Sequence, residues 1–268
     1  MSINLNKKEI IFSALGAALI LGLVLFFLGL YPVALVEGKA ITAKEWKQNL
    51  QVARKLDPKL NEKIVFDQMI KNEQKAALAE ELNLGDNSTW ESERKYYMSG
   101  NPQDYTKLIN DYFSGNEKLF EKYVLKPQAV DSLLRIKYNF DFNANKDAYN
   151  KARGILTMLE QGQRHEDLAK ILSDDRASGQ LGGDLGFFKS GELLPELEKI
   201  VLNASLGQVQ KNIAVSRLGY HILYPVESSM REGEKIWHLK HILIQTTGYE
   251  TWLNSQLNQV KVWRIIKL

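Results

Sequence analysis

The chain of 268 residues carries 35 Lys and Arg against 32 Asp and Glu, a formal net charge of +3. So small and interspersed an excess argues against a nucleic-acid partner. The absence of cysteine excludes a disulfide framework, thiolate catalysis and a lipidated cysteine anchor, and it is compatible with an oxidising compartment.

In chain order, residues 1–9 form a short tail, and Ile10 to Val36 then carry no charge, with Ile10 to Leu30 almost wholly apolar. About 20 such residues span a bilayer core as a helix. A cleaved signal peptide has a shorter apolar region, about 7–15 residues, ending in a small-residue cleavage site. No clean Ala-x-Ala lies near the end of this segment, so residues 10–32 are read as an uncleaved membrane anchor. Lys7 and Lys8 upstream favour an N-terminus inside the cell, and Pro32 breaks the helix near the outer interface. This reading makes a single-pass cell-membrane protein with its bulk extracytoplasmic.

Val33 to Thr42 reads as a strand and turn, and Thr42 with Glu45 forms a capping box. Trp46, Leu50 and Ala53 then share a helical face up to Pro58. Residues 60–83 carry a second helical pattern, and Ser88 with Glu91 caps a third helix. Helical spacing recurs through Tyr105, Leu108, Ile109 and Tyr112, and again through Leu119, Phe120 and Tyr123. The next part reads as β-α-α-β-α-β-β: a strand over Leu133–Phe142 with Ile136, Tyr138 and Phe140 on one face, helices over Asp147–Gly162 and His165–Leu172, a strand at Leu185–Phe188, a helix over Pro195–Val201, and strands over Val209–Ser216 and Tyr220–Pro225. That order fits an α+β sandwich. Tyr249–Val260 reads as a helix, and Val262–Leu268 has strong β propensity. A hydrophobic strand at a chain end invites aggregation unless it is paired, which points to pairing with the strand around Val33–Val36.

Ser173-Asp174-Asp175-Arg176-Ala177-Ser178, then Gly182-Gly183-Asp184-Leu185-Gly186 and finally Gly219-Tyr220-His221 together resemble the parvulin family of peptidyl-prolyl isomerases. The likeness covers residues 133–228. Val33, Ala34, Val36, Gly38, Ile41, Thr42 and Trp46 resemble the N-terminal chaperone domain of SurA-like and PrsA-like foldases. The two resemblances imply a helical chaperone domain over 33–132, an inserted parvulin-like (FKBP-like superfold) domain over 133–228, and a segment 229–268 that returns to complete the chaperone domain.

The parvulin likeness also implies a buried polar cluster beneath an apolar proline pocket. The cluster is usually two histidines, from the first and last strands, with an Asp or Cys from the turn after the second helix. His221 matches the second histidine and Asp175 the acidic position, while strand alternation gives the first histidine's place to Tyr138. In the pocket Leu185 matches a leucine, Leu193 and Leu197 replace the usual Met and Phe, and Leu218 and Ser216 lie at the rim. No metal or cofactor is implied. Trp237-His238-Leu239-Lys240-His241-Ile242-Leu243-Ile244 looks like another parvulin first strand, yet too few residues follow for a second domain. Two readings stand: a relic of a second repeat, or a strand lying beside the domain and returning a histidine to its site. His238 and His241 are three apart, so a strand points them to opposite faces, which argues against a shared metal.

The expected function is that of a membrane-anchored foldase, isomerising prolyl bonds in unfolded or newly translocated polypeptides. Its activity would be weakened if Tyr138 stands where a histidine belongs. The alternative is a holdase or assembly factor that keeps the parvulin fold only to bind peptides.

Overall fold

The structure, a computed structural model, describes residues 20–85, 87–99 and 102–268. The expected tail 1–9 and anchor residues 10–19 lie outside these. Residues 20–27 are helical, and their apolar side chains are exposed. Among the described residues no helix is long and apolar enough to cross a membrane. The chain divides into two compact units, one of residues up to 77 together with 258–268, the other of residues 78–257.

In the first unit, β1 (Pro32–Val36) and β2 (Lys39–Thr42) form a hairpin. Its two central residues, Glu37 and Gly38, both have positive φ, the backbone that matches strand twist in a two-residue loop. Thr42 caps α1 (Ala43–Leu56) in a complete capping box with Glu45. Helix α2 (Glu62–Glu81) follows, and its Phe66 meets Trp46 edge-on at 5.7 Å between ring centroids. The last strand, β7 (Val262–Arg264), pairs antiparallel with β1, Leu35 opposite Trp263, so β1 is the central strand of three. Arg264 bonds Asp67 at 2.5 Å and ties the terminal strand to α2.

The second unit begins with α3 (Asn87–Met98) and α4 (Pro102–Phe113), then a continuous run of α5 (Glu117–Phe120), a π-helical turn (Glu121–Leu125) and α6 (Lys126–Asn139). After α7 (Lys146–Glu160), α8 (His165–Leu172) and the short α9 (Arg176–Gln180) come β3 (Asp184–Lys189), α10 (Pro195–Val201), β4 (Ala214–Ser216), β5 (Gly219–Arg231), β6 (Glu234–Gln245) and α11 (Tyr249–Leu257). The sheet order is β3-β6-β5-β4, and all neighbours are antiparallel. Tyr220, Ile222, Ile242 and Ile244 cover one sheet face with α7 and α8. Leu223 and Leu239 cover the other with Leu197 and Val201 of α10.

One expectation is corrected. Leu133–Phe142 is not a strand: residues up to Asn139 continue α6. The Ile136-Tyr138-Phe140 alternation imitates a strand, but the buried positions Leu125, Ala129 and Ser132, and again Leu134 and Tyr138, are helically spaced. Pro127 follows closely on the π-helical turn that leads into α6, and Arg135 bonds Asp131 one turn earlier at 2.7 Å. The two compact units are drawn differently from the expected segments 33–132, 133–228 and 229–268. Helices α3 to α6 cluster with the four-stranded sheet, and of the return segment only the terminal residues join the first unit.

The strand so lost is replaced by β6. Over its length β6 pairs with β5, from Gly219 opposite Gln245 to Arg231 opposite Glu234. The turn between them places Glu232 and Gly233 at positive φ, again a twist-matched two-residue loop. On its other side β6 meets β3 through Ile236 to Lys240. Beyond that point the Ser173–Asp175 loop takes over: Leu243 N donates to Ser173 Oγ at 3.1 Å, Asp174 N to Leu243 O at 2.7 Å, and Gln245 N to Asp174 Oδ2 at 3.0 Å. Two motif glycines are shaped to this strand. At Gly183 (φ +85°) a Cβ would lie 2.3 Å from His241 O, and at Gly219 (φ +139°) 2.3 Å from Ile244 O.

Gly183→Ala should therefore destabilise the second unit by about 2–4 kcal/mol, because it combines a strained φ with a clash against backbone. Gly154→Ala, in the exposed interior of α7 with nothing within 4 Å of the added Cβ, should stabilise by about 0.5–1 kcal/mol. Urea unfolding of the two variants measures both, and equal effects would contradict the β6 placement.

Candidate active site

Four elements converge on one buried hydrogen-bonded chain. His221 of β5 and His241 of β6 lie on the same sheet face as Leu223 and Leu239, two residues along their strands. Their Nδ1 atoms are 3.1 Å apart. His241 Nε2 lies 3.0 Å from Asp175 Oδ2 and 3.1 Å from Ser178 Oγ, and Ser178 Oγ donates to Asp175 Oδ2 at 2.6 Å. At the other end His221 Nε2 is 2.7 Å from Ser216 Oγ, which accepts from Leu218 N at 3.0 Å. His221 is 1 % exposed, His241 4 % and Ser216 0 %.

Asp175 stands where two demands meet. It caps α9, accepting from the backbone N–H of Ala177 and Ser178, and it anchors the histidine pair. Burial pushes its carboxyl up, but hydrogen bonds from Ser178 and His241 outweigh this and hold it below the ordinary range. Burial, with the neighbouring His241 adding to it, lowers His221 to about 3. Burial also lowers His241, against the pull of Asp175. Both imidazoles are thus neutral at pH 7. One assignment of protons satisfies every member: His241 Nε2–H donates to Asp175, His221 Nδ1–H to His241 Nδ1, and Ser216 O–H to His221 Nε2. The dipoles then align along the chain toward the carboxylate.

Tyr138 is not part of this cluster, which corrects its expected role. It lies in α6, donates its hydroxyl to Thr247 O at 2.5 Å, and packs against the rings of Tyr249 and Trp252. The site contains a histidine on a central strand all the same. It is His241, carried by the His-Ile-Leu-Ile segment, so the strand that the parvulin resemblance puts first comes last in this chain. The signal that could have assigned it was the Glu232-Gly233 turn, which makes β6 the hairpin partner of β5. His238 points to the opposite face, with its Nε2 2.8 Å from Asp184 Oδ1 and its ring stacked on Phe187 at 4.7 Å.

The residues expected to line the proline pocket divide between core and surface, with Leu197 and Ser216 both buried. Leu197 of α10 is buried with Leu223 and Leu239, and Leu193 packs against the same cluster, half-buried. Leu218 is 45 % exposed and Leu185 38 %, leaving greasy surface at the turn after Ser216 and at the start of β3. A concavity of about 1000 Å³ lies elsewhere, between α3 and the outer ends of β3 and β6. Its lining mixes charged residues such as Lys95, Lys189 and Glu91 with Met98 and Trp237.

Residues 133–227 match the family model of the PPIC-type PPIase domain, the Rotamase family. The chain therefore carries a parvulin-type peptidyl-prolyl isomerase domain. The match begins within α6 and ends before β6, so His241 lies outside it. Relatives include foldase protein PrsA 2 of Bacillus cereus, 39 % identical over 145 residues that cover 45 % of this chain and 50 % of the relative. Chaperone SurA of Alkalilimnicola ehrlichii is 31 % identical over 126 residues, covering 47 % of this chain and 27 % of that one. The chain thus spans half or less of the length of these relatives. A crystal structure of the peptidylprolyl isomerase PrsA from Bacillus anthracis aligns with 72 % of this chain and 85 % of its own, at 21 % identity and a TM-score of 0.24.

The neutral histidines set a pH dependence. His165, buried at the start of α8, is lowered by burial to about 4, and His221 to about 3, from 6.5. Between those values and 6.5 the unfolded chain binds protons that the native protein does not, so stability rises with pH across the window and falls on acidification. Each such histidine contributes a slope of about 1.4 kcal/mol per pH unit. Asp175 adds a loss in the same direction only below its ordinary 3.8. The urea midpoint of the second unit should drop steadily from about pH 6.5 to about pH 5. A flat profile there would mean that the histidines are charged in the native state.

Proposed function

We propose that this protein is a membrane-anchored extracytoplasmic foldase that isomerises prolyl bonds in unfolded or newly translocated polypeptides. The observation that carries the reading is the Asp175–His241–His221–Ser216 chain beneath an apolar surface, within a domain of parvulin type. Rotating a peptide bond crosses a barrier of about 18–20 kcal/mol and breaks no covalent bond. A catalyst therefore needs only to hold the twisted amide more tightly than either planar form. Leu193, Leu218 and Leu185, which keep exposed surface, offer the proline ring an apolar seat. The histidines are too buried to touch a substrate, so they act from below, as oriented dipoles in a low-dielectric setting. The holdase alternative drew its force from a missing first-strand histidine, and His241 removes that reason.

His241→Ala should lower the rate of isomerisation of a proline tetrapeptide by at least about tenfold, since it breaks the dipole chain in the middle. Tyr138→His should leave the rate unchanged, because Tyr138 faces Thr247 and Trp252. Protease-coupled or NMR exchange assays measure both. A parent protein inactive on several proline peptides, yet suppressing aggregation of unfolded clients, would decide for the holdase.

The anchor rests on the uncharged run Ile10 to Val36, with Lys7 and Lys8 before it and the exposed apolar helix of residues 20–27 as its described part. Protease added to intact spheroplasts should digest everything from Val36 onward. Full protection of that part would reverse the orientation.

A further inference from the structure

Ser216, whose hydroxyl meets His221, is gripped from outside the sheet. Its carbonyl accepts from Asn139 Nδ2 at 2.7 Å. Asn139, the last residue of α6, binds two further strand ends: its carbonyl accepts from Tyr220 Oη at 2.8 Å, and its Oδ1 from Thr246 Oγ1 at 2.6 Å. One side chain and its carbonyl thus join the end of β4, the start of β5 and the residue after β6.

The next residue, Arg217, is gripped more firmly. Its backbone N and Nε both donate to Glu196 Oε1, at 2.9 and 3.0 Å, and its Nη2 donates to Glu196 Oε2 at 2.9 Å and to Glu93 Oε1. Nη1 donates to Glu93 Oε2 at 2.9 Å and to Ser132 Oγ at 2.7 Å. All five guanidinium donors are used, and the group lies over the Tyr96 ring. Arg217 is 8 % exposed and Glu93 2 %, so this is an internal clamp with nothing left over for a substrate. Glu93 and Tyr96 belong to α3 and Ser132 to α6.

The geometry points to Arg217 and Asn139 as positioning residues for isomerisation: anchored on α3 and α6, they hold the β4–β5 turn so that Ser216 stays bonded to His221 and Leu218 stays at the pocket rim. The inference rests on the isomerase reading and adds to it that the helices before residue 133 are part of the catalytic unit. The clamp grips the chain directly after the Ser216 side chain, through the carbonyl of Ser216 and the whole of Arg217. A buried Arg with two carboxylates is also a rigid tether, since any displacement leaves a buried charge unpaired. Small shifts of a positioned group cost catalysis disproportionately.

The test uses the full chain with three substitutions of graded severity. Asn139→Asp turns the donor to Ser216 into an acceptor, Glu93→Gln keeps the shape of the clamp but removes one charge, and Ser132→Ala removes a single bond. For each variant two quantities are read on protein shown to be folded by circular dichroism: kcat and KM for a proline tetrapeptide, and the imidazole ¹⁵N shifts of His221 and His241. Asn139→Asp and Glu93→Gln should lower kcat by about fivefold or more, leave KM within about twofold, and move the His221 signals; Ser132→Ala should do the same to a smaller degree. Folded variants with unchanged kcat and unchanged imidazole signals would overturn the proposal and leave the clamp a purely structural tie. Should the first two fail to fold, Ser132→Ala decides by the same readings. An inactive parent would sink the isomerase reading alone, because the ¹⁵N shifts still report whether the clamp positions His221.

Discussion

The second unit depends on the pairing of β5 with β6. That hairpin sets His241 opposite Leu223 and leaves its ring 3.1 Å from His221. It also supplies the edge against which the Ser173–Asp175 loop and Gly183 close. Without β6 the loop would lose its partners at Leu243 and Gln245, Asp175 would face no imidazole, and β3 would have no neighbour in the sheet. A long two-stranded ribbon joined by a two-residue turn costs little loop-closure entropy, so the histidine pair forms locally and Asp175, 66 positions before His241, joins it by a longer closure.

The neutrality of the cluster follows from the same packing. A charged imidazole beneath a fully covered sheet would lose its hydration without a second carboxylate to replace it. One carboxylate, Asp175, partly exposed and capping a helix, is enough to orient a chain of neutral rings but not to charge them. Such a chain suits a reaction that moves no proton. It presents fixed dipoles and needs no reorganisation as the amide twists.

Much of this was legible in the sequence and some was not. The capped helix after Thr42, the helices His165–Leu172 and Pro195–Val201, and the β propensity of the last residues were carried by local signals: caps, apolar spacing and a proline at N1. The Gly-Gly-Asp-Leu-Gly and Gly-Tyr-His motifs pointed to Asp175 and His221. Residues 133–139 were misread because Ile136, Tyr138 and Phe140 alternate as a strand would, and the helix running into them from Glu117 was the deciding fact. His241 stood in plain view with its strand pattern intact. Its role depended on topology, on which neighbour the strand chose, and only the Glu232-Gly233 turn carried that information locally. The Arg217 clamp joins residues 124 positions apart, a separation that no periodicity reveals.

Moving the first strand to the end of the domain changes what precedes the domain. Where a strand would have entered the sheet beside β5, the chain instead arrives as α6 and stops at Asn139, which holds three strand ends at once. These strand ends are thereby held together by a helix terminus, and the helix is in turn bound to α3 through Ser132, Arg217 and Glu93. The permuted order and the clamp are thus two aspects of one solution. Once β6 supplies the histidine from the C-terminal side, the N-terminal side is free to supply rigidity, and the residues that do so sit one bond from the site.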